Sequence, residues 1–446
     1  MELLQQREQN RHSLNRHNID KLVDHLFRHE AGRMVSVLTR TFGTDNLGLV
    51  EDVVQDALLQ AAQVWPVRGI PDNPSAWLYR AAKNRAIDVL RRNDRLVRFS
   101  DPDESSVPDP GAPLQEAIEE AWDEDVIKDD MLRMMFACCH PGIPEESQVT
   151  LILKTLCGFS ASEIARAFLT SEDTISKRLY RAKEFFRQNR IEFTMPPADK
   201  LKTRSEAVLN SIYLLFNEGY NSTDSDTLVR ADLMEEAMLL CKLLSENRHT
   251  QQPATFALMA LMCFHTSRNE GRLTTAGEII LLAEQDRSKW NLDLIALGNK
   301  YMEKAALGDS VSKYHLEAAI AFEHCTAESF EKTNWERILE LYEWLCRAFP
   351  SPISELNRAV AVMRVHGADE ALKAVIEIPR KKKLETYYLY HSLVGEIYSQ
   401  LGRRAEANAE FETAITLTKS EPERKLLRSK LAGKEHFPDD GADFSR

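Results

Sequence analysis

Apolar positions recur at intervals of three and four along most of this chain, the period of amphipathic helices, and β-branched runs are short. The pattern is clearest in SASEIARAFLTSEDTISKRLYRAKEFFR, residues 160–187. Ile164, Ala165 and Phe168 stripe a short helix there, and Ile175, Leu179, Ala182 and Phe186 stripe a longer one. Ser160 and Glu163 have the spacing of a capping box, and the same spacing at Thr170 and Asp173 predicts the start of the second helix. The second helix carries Lys177, Arg178, Arg181, Lys183 and Arg187 on its remaining face. A short helix, a tight turn and a longer basic helix outline a helix-turn-helix, whose second helix enters the major groove. An ordinary helical hairpin with a solvated charged face has the same outline.

Upstream, Leu22, Leu26, Met34, Val35 and Leu38 predict a helix from Lys21 to about Thr41. The next, GLVEDVVQDALLQAAQVW, buries Val50, Val53, Val54, Ala57, Leu58 and Ala61 and leaves Glu51, Asp52, Gln55 and Asp56 on another face. Pro66 to Pro71 breaks the chain, and Asn73-Pro74 opens a third helix with a capping residue followed by proline. In that helix Leu78, Ala82, Ala86 and Val89 point to a core. Trp77, Arg80, Asn84, Asp88 and Arg91 follow a different line, and Arg92, Arg95 and Arg98 add charge beyond it. An aromatic among cations suits unpaired nucleic acid, which needs faces to stack on and charge for phosphates. A buried tryptophan beside a solvated basic face reads the same way. Helices over Asp125–Cys139 and Glu145–Leu156 lead into the helix-turn-helix, which makes 127–190 a small four-helix module.

Beyond Met195-Pro-Pro197 the pattern is helix after helix. Near the end, Gly395, Tyr398, Ala407, Phe411 and Ala414 occupy the small and large places of a 34-residue tetratricopeptide unit. Helix pairs at about 205–245, 254–285, 314–348 and 354–376 fit that repeat poorly, so a divergent helical solenoid is expected. Two adjacent prolines stiffen the joint, and the C-terminal domain is expected to pack near the helix-turn-helix.

The chain of 446 residues is too long for one core, and the whole is expected to be all-α. Its net charge of −12 argues against indiscriminate coating of nucleic acid. Twelve acids against one lysine between Asp101 and Asp130 nearly account for that charge, so basic patches remain elsewhere. Seven cysteines without CxxC spacing fit free thiols in a reducing compartment. The N-terminus has no signal-peptide core and no apolar run approaches the ~20 residues of a membrane span, so a cytoplasmic protein is expected. No metal, cofactor or catalytic constellation is implied. The Asp, Arg and Glu of FNEGY and QDRSKW lack a nucleophile–base pair and are expected to bridge helices through buried hydrogen bonds.

The helix bearing Asp52, Gln55 and Asp56, followed by WLYRAAKNRAIDVLRR, resembles region 2 of bacterial RNA polymerase sigma factors of the extracytoplasmic-function (ECF) type. SASEIARAFLTSEDTISKRLYRAK resembles their region 4, including the T-[IV]-x-[SK]-R-L-x-R-A-[RK] line from Thr174 to Lys183. YLLFNEGY (213–220), LLAEQDRSKW (281–290), SPISELNRAVAV (351–362) and the terminal repeat resemble a subgroup with a large C-terminal helical extension. The resemblance implies a lead-in over 1–20, region 2 over 21–98, an acidic linker over 99–126, region 4 over 127–190, a TPR-like domain over 199–432 and a tail over 433–446. It implies no enzyme. Asp52, Gln55 and Asp56 would bind core RNA polymerase. Trp77, Asn84, Arg85, Asp88, Arg91, Arg92 and Arg95 would contact the −10 element of promoter DNA, and Thr174, Ser176, Lys177, Arg178 and Arg181 the −35 element. The extension would take a protein partner or dock within the chain. A one-component helix-turn-helix regulator with a TPR-like sensor is the alternative, but it would need neither the acidic face nor the WLYRAAKN helix.

Overall fold

The computed structural model describes residues 30–98, 124–168, 170–221, 228–379 and 384–433. Those residues form helices and turns, and their only β-pairing is an isolated bridge between Leu273 and Ile279. By internal packing the chain divides into two units, Met1–Ser211 and Ile212–Arg446. The expected lead-in, most of the acidic linker and nearly all of the tail lie outside the described residues.

The first unit contains α1 (30–42), α2 (Leu47–Arg68), α3 (Pro74–Arg98), α4 (Glu124–Cys138), α5 (Glu145–Thr155), α6 (Ala161–Ala167), α7 (Glu172–Asn189) and the first part of α8 (Ala198–Tyr220). α2 packs on α3, and α7 packs on α5 and α6. Three of these helices are buried nearly all round. In α1 every residue from Met34 to Thr39 is buried, and so are all but one of Met131–Cys138 in α4 and Ser147–Leu153 in α5. A helix covered on every side needs neighbours on every side. For α1 these come from two sources, the helices next to it in sequence and the module that begins at α4. Gly32 marks the close approach, because a Cβ there would strike the Leu156 carbonyl.

Local chemistry sets most boundaries. Asn73 Oδ1 accepts the Ala76 N–H at 3.0 Å and caps α3. Ser160 and Glu163 form a reciprocal box at α6, with bonds of 2.8 and 3.2 Å. Two boundaries differ from expectation. α7 is capped by Ser171, not Thr170: the Ser171 hydroxyl takes the Thr174 N–H at 3.2 Å. α2 also runs through Pro66 to Arg68. So near the helix end Pro66 removes a single bond, and the helix stops where Gly69 adopts φ 86° and its N–H bonds back to the Trp65 carbonyl.

The second unit takes the remainder of α8 and then α9 (Ala231–Glu246), α10 (Pro253–Ser267), α11 (Asn269–Arg272), α12 (Leu292–Ala305), α13 (Lys313–Thr326), α14 (Trp335–Ala348), α15 (Pro352–His366), α16 (Ala368–Ile376), α17 (Tyr388–Gln400), α18 (Arg404–Leu417) and α19 (Glu421–Leu431). Adjacent helices pack in sequence, as in α14–α15, α15–α16 and α17–α18. The expected pair at 254–285 is absent. α10 instead packs on α12 and α13, and 273–291 is a bridge followed by two 3-10 turns, Leu282–Glu284 and Arg287–Lys289. In the last hairpin a Cβ on Gly395 would lie 2.7 Å from the Phe411 ring, and Ala407 and Ala414 are fully buried. His391 ties α17 to α18: its Nδ1 lies 2.6 Å from Glu410 and its Nε2 2.9 Å from the Glu385 carbonyl.

Buried and half-buried arginines of the second unit are struts. Arg268 donates to the Tyr220 hydroxyl at 2.9 Å. Arg272 donates to the Tyr220 carbonyl and to Asn221 Oδ1, both at 2.6 Å, and stacks 3.6 Å above the Tyr220 ring. Arg287 donates to the carbonyls of His324 and Ala327, each at 2.8 Å, and lies over Trp290. These are the arginine of QDRSKW and the partners of the FNEGY tyrosine, joined by hydrogen bonds between helices and turns. All seven cysteines are buried free thiols, and burial pushes Cys138 up to about 12, far from a reactive thiolate. Among the described residues no cluster of His, Cys, Asp and Glu could hold a metal ion, and no helix is long and apolar enough to cross a membrane.

Candidate nucleic-acid interface

Two faces of the first unit present chemistry to solvent. On α2, Asp52, Gln55 and Asp56 are exposed on one side. Leu59, seven residues after Asp52, is 62% exposed on the same line and turns an acidic face into an acidic-apolar one. Sequence reasoning missed Leu59; its signal was an apolar residue in phase with the polar face. Glu51 goes the other way. Expected on that face, it is only 5% exposed and pairs with Lys183 of α7. Lys183 correspondingly leaves the basic face where it was expected. Helix phase explains the burial, since Glu51 lies at the border of the stripe on the line of Val54 and Leu58. Desolvation pushes its carboxyl above the usual range, and the Lys183 ammonium offsets that in part.

On α3, Asn84, Arg85, Asp88, Arg91 and Arg92 are exposed. The side chain of Arg95 lies outside the described residues. Trp77 is half-buried and meets the buried Trp65 edge-on, ring centres 5.7 Å apart. Arg85 also pairs with Asp56 of α2 at 3.2 Å, which joins a residue of the acidic set to one of the DNA set. Both side chains are about half exposed, so the pair contributes at most about 1 kcal/mol and gives way readily to a partner.

α7 presents Ser176, Lys177 and Arg181 to solvent, with Tyr180, 70% exposed, among them. Tyr180 is the second residue the sequence reading passed over, a flat side chain on the face otherwise read as purely basic. Lys177 pairs with Asp173 at 2.6 Å one turn earlier. Thr174 and Arg178 are half-buried: the Thr174 hydroxyl lies 2.8 Å from that of Ser171, and Arg178 pairs with Glu146 of α5. Arg187 pairs with Glu184 on its own helix.

A helix-turn-helix preceded by a bundle with an exposed acidic face narrows the choice, and sequence comparison decides it. Residues 26–96 match the family "Sigma-70 region 2" and residues 133–186 match "Sigma-70, region 4". The chain is 30% identical over 139 residues to the ECF RNA polymerase sigma-E factor of Escherichia coli (strain K12), across 31% of this chain and 71% of that protein. It belongs to the ECF sigma factors. The corresponding factor of Haemophilus influenzae (strain ATCC 51907 / DSM 11121 / KW20 / Rd) is 25% identical over 163 residues, 36% of this chain and 82% of the other. Residues 204–306 match a "Family of unknown function (DUF6596)". "Uncharacterized protein R00370" of Rhizobium meliloti (strain 1021) is 37% identical over 388 residues, 86% of this chain and 90% of its own length. No solved structure matches. The protein is therefore an ECF sigma factor with a C-terminal helical extension: it binds core RNA polymerase and promoter DNA and initiates transcription.

Proposed function

We propose a division of labour among the faces of this sigma factor. Asp52, Gln55, Asp56 and Leu59 form the core-docking patch. Trp77, Asn84, Arg85, Asp88, Arg91, Arg92 and Arg95 meet the −10 element, where the exposed arginines take backbone phosphates and the tryptophan offers a stacking edge. Thr174, Ser176, Lys177, Arg178 and Arg181 meet the −35 element, with Tyr180 beside them. The observation that carries this reading is exposure. On α2, α3 and α7, Asp52, Gln55, Asp56, Asn84, Arg85, Asp88, Arg91, Arg92, Ser176, Lys177 and Arg181 stand in solvent, while most of the apolar stripes beneath them are buried. Such a protein does no covalent chemistry, and its work is selective binding. A TPR-like extension, packed with its own core, modulates activity through a protein partner or by docking within the chain.

Titrating promoter DNA with and without core polymerase tests the reading. Sequence-specific binding that needs core supports it. Specific binding by the chain alone would replace it with a one-component regulator.

A further inference from the structure

Two stretches of the extension that promoter binding leaves unused meet in the second unit. The end of the LLAEQ run and Asn221, the residue after FNEGY, line one cleft with Arg272, α17 and α19. The cleft encloses about 600 Å³, part of it open to solvent. Its walls come from parts of the chain more than a hundred positions apart. On α19 Glu423 and Leu427 share a face, and on α17 Leu389 and Ser392 do, each pair by its 3–4 spacing. With Leu282 these leucines give the cleft an apolar body, all three being buried.

The polar groups of the lining are mainly acceptors. Glu423 is 8% exposed and takes hydroxyl hydrogens from Tyr388 and Thr418. A carboxylate has about four acceptor sites, so an N–H can join those two. A buried carboxylate among hydroxyls is also a place where a cation is favoured. Gln285 gives its Nε2 hydrogen to the Ile280 carbonyl at 3.1 Å, which leaves Oε1 as its other end, buried and without a donor among the described residues. The Ser392 hydroxyl makes no hydrogen bond among the described residues. Arg272 differs: its hydrogens go to Tyr220 and Asn221, and its plane lies on the Tyr220 ring, so its charge is engaged within the protein.

We propose that this cleft binds a small primary ammonium ion with a short apolar body. An ammonium brings three N–H donors, one each for Glu423, Gln285 and Ser392, and its hydrocarbon packs on the leucines. A neutral alcohol would bring a single hydrogen to three acceptors, and a carboxylate would face Glu423 with like charge. Occupancy ties the early part of the unit to its last helices. The site supplies a ligand for the extension, and it rests on the modulator reading for its regulatory meaning alone.

The test is calorimetric titration of the full-length chain at pH 7, without core or DNA. Isopentylamine is the probe, and isopentanol and isovalerate are neutral and anionic copies of the same body. The amine should saturate one site with a Kd at or below about 1 mM, within reach of so small a ligand. The alcohol and the carboxylate should bind at least about tenfold more weakly, since the charged hydrogen bonds are lost. Amide exchange should slow in 279–285 and in α19 when the amine is bound. Glu423→Gln should weaken amine binding about tenfold and narrow its lead over the alcohol. Ser392→Leu fills the cleft without breaking a hydrogen bond and should abolish binding of all three. Should either variant fail to fold, the ranking of the three probes and the exchange map of the unaltered chain still decide. No saturable amine binding, equal binding of the alcohol, or protection confined to other helices would overturn the site. Transcription with core, with and without the amine, tests the modulator reading separately: binding with unchanged transcription keeps the site and removes its role in control.

Discussion

The two units treat their charges in opposite ways. In the first, Asp52, Asp56, Arg91, Arg92, Lys177 and Arg181 stand in solvent, and the pairs they make are single and easily exchanged. In the second, Arg268 and Arg272 are buried and Arg287 is half-buried, their donors committed to a hydroxyl, an amide and backbone carbonyls. An exposed cation can trade water for a phosphate at little cost, whereas a buried one loses its geometry if it moves. Local exposure therefore separates charges open to a partner from structural ones, and the net charge of −12 does not.

The sharpest way to break the contrast is at the docking patch. Asp52→Arg with Asp56→Arg should abolish co-purification with core polymerase and change unfolding free energy by less than about 1 kcal/mol. Undiminished pull-down would remove α2 as the docking surface. Next in size, Arg272→Ala should cost roughly 2–4 kcal/mol in urea unfolding of the full chain, since it strands buried acceptors, while Arg91→Ala stays within about 0.5 kcal/mol. Similar costs at both sites would erase the distinction between strut and binder. Arg181→Ala should then lose about 1–3 kcal/mol at one promoter position if it reads a base, or lower the salt slope of holoenzyme binding by about one if it holds a phosphate. No change in either quantity would free α7 from the groove.

The smallest effect is one of pH. Both ring nitrogens of His391 face acceptors, which favours the charged ring, and the bond to Glu410 raises its pKa above the ordinary 6.5. A raised histidine contributes stability that is complete below about 6.5 and is lost as pH rises through the higher folded value. The hairpin of α17 and α18 should therefore exchange amide hydrogens more readily above that window, after correction for intrinsic exchange, by an amount worth less than about 1 kcal/mol. His391→Gln should flatten the dependence. Tighter protection at high pH would contradict the assigned proton.

Much of the first unit was legible because periodicity and capping are local. Ile175, Leu179, Ala182 and Phe186 are all buried as their spacing requires, and Asn73 and Ser160 cap the helices they precede. What escaped was set by neighbours distant in sequence. A helix wheel shows Glu51 at the stripe's edge but cannot show that Lys183 waits there, 132 positions on. Thr170 and Ser171 offer equivalent hydroxyls one residue apart, and only the turn geometry chooses between them. The stretch 273–285 falls within an expected helix pair, yet its backbone is turned by Gly277 at φ 78°, and Arg287 just beyond it is fastened to distant carbonyls.

The division between the units falls inside α8, between Ser211 and Ile212, and this has a consequence for how such a protein can be shortened or recombined. A domain added to another by gene fusion usually meets it at a loop, where a stop codon or a crossover does little harm. Here a break anywhere from 198 to 220 severs one helix and bares Leu201, Val208, Leu209, Ile212, Leu215 or Phe216, all buried in the intact chain. A break before 198 removes Arg204, which donates to the Phe136 carbonyl of α4 at 3.4 Å, and strips region 4 of a side chain it uses. A cut meant to isolate the sigma module therefore finds no loop within Ala198–Tyr220 to fall in.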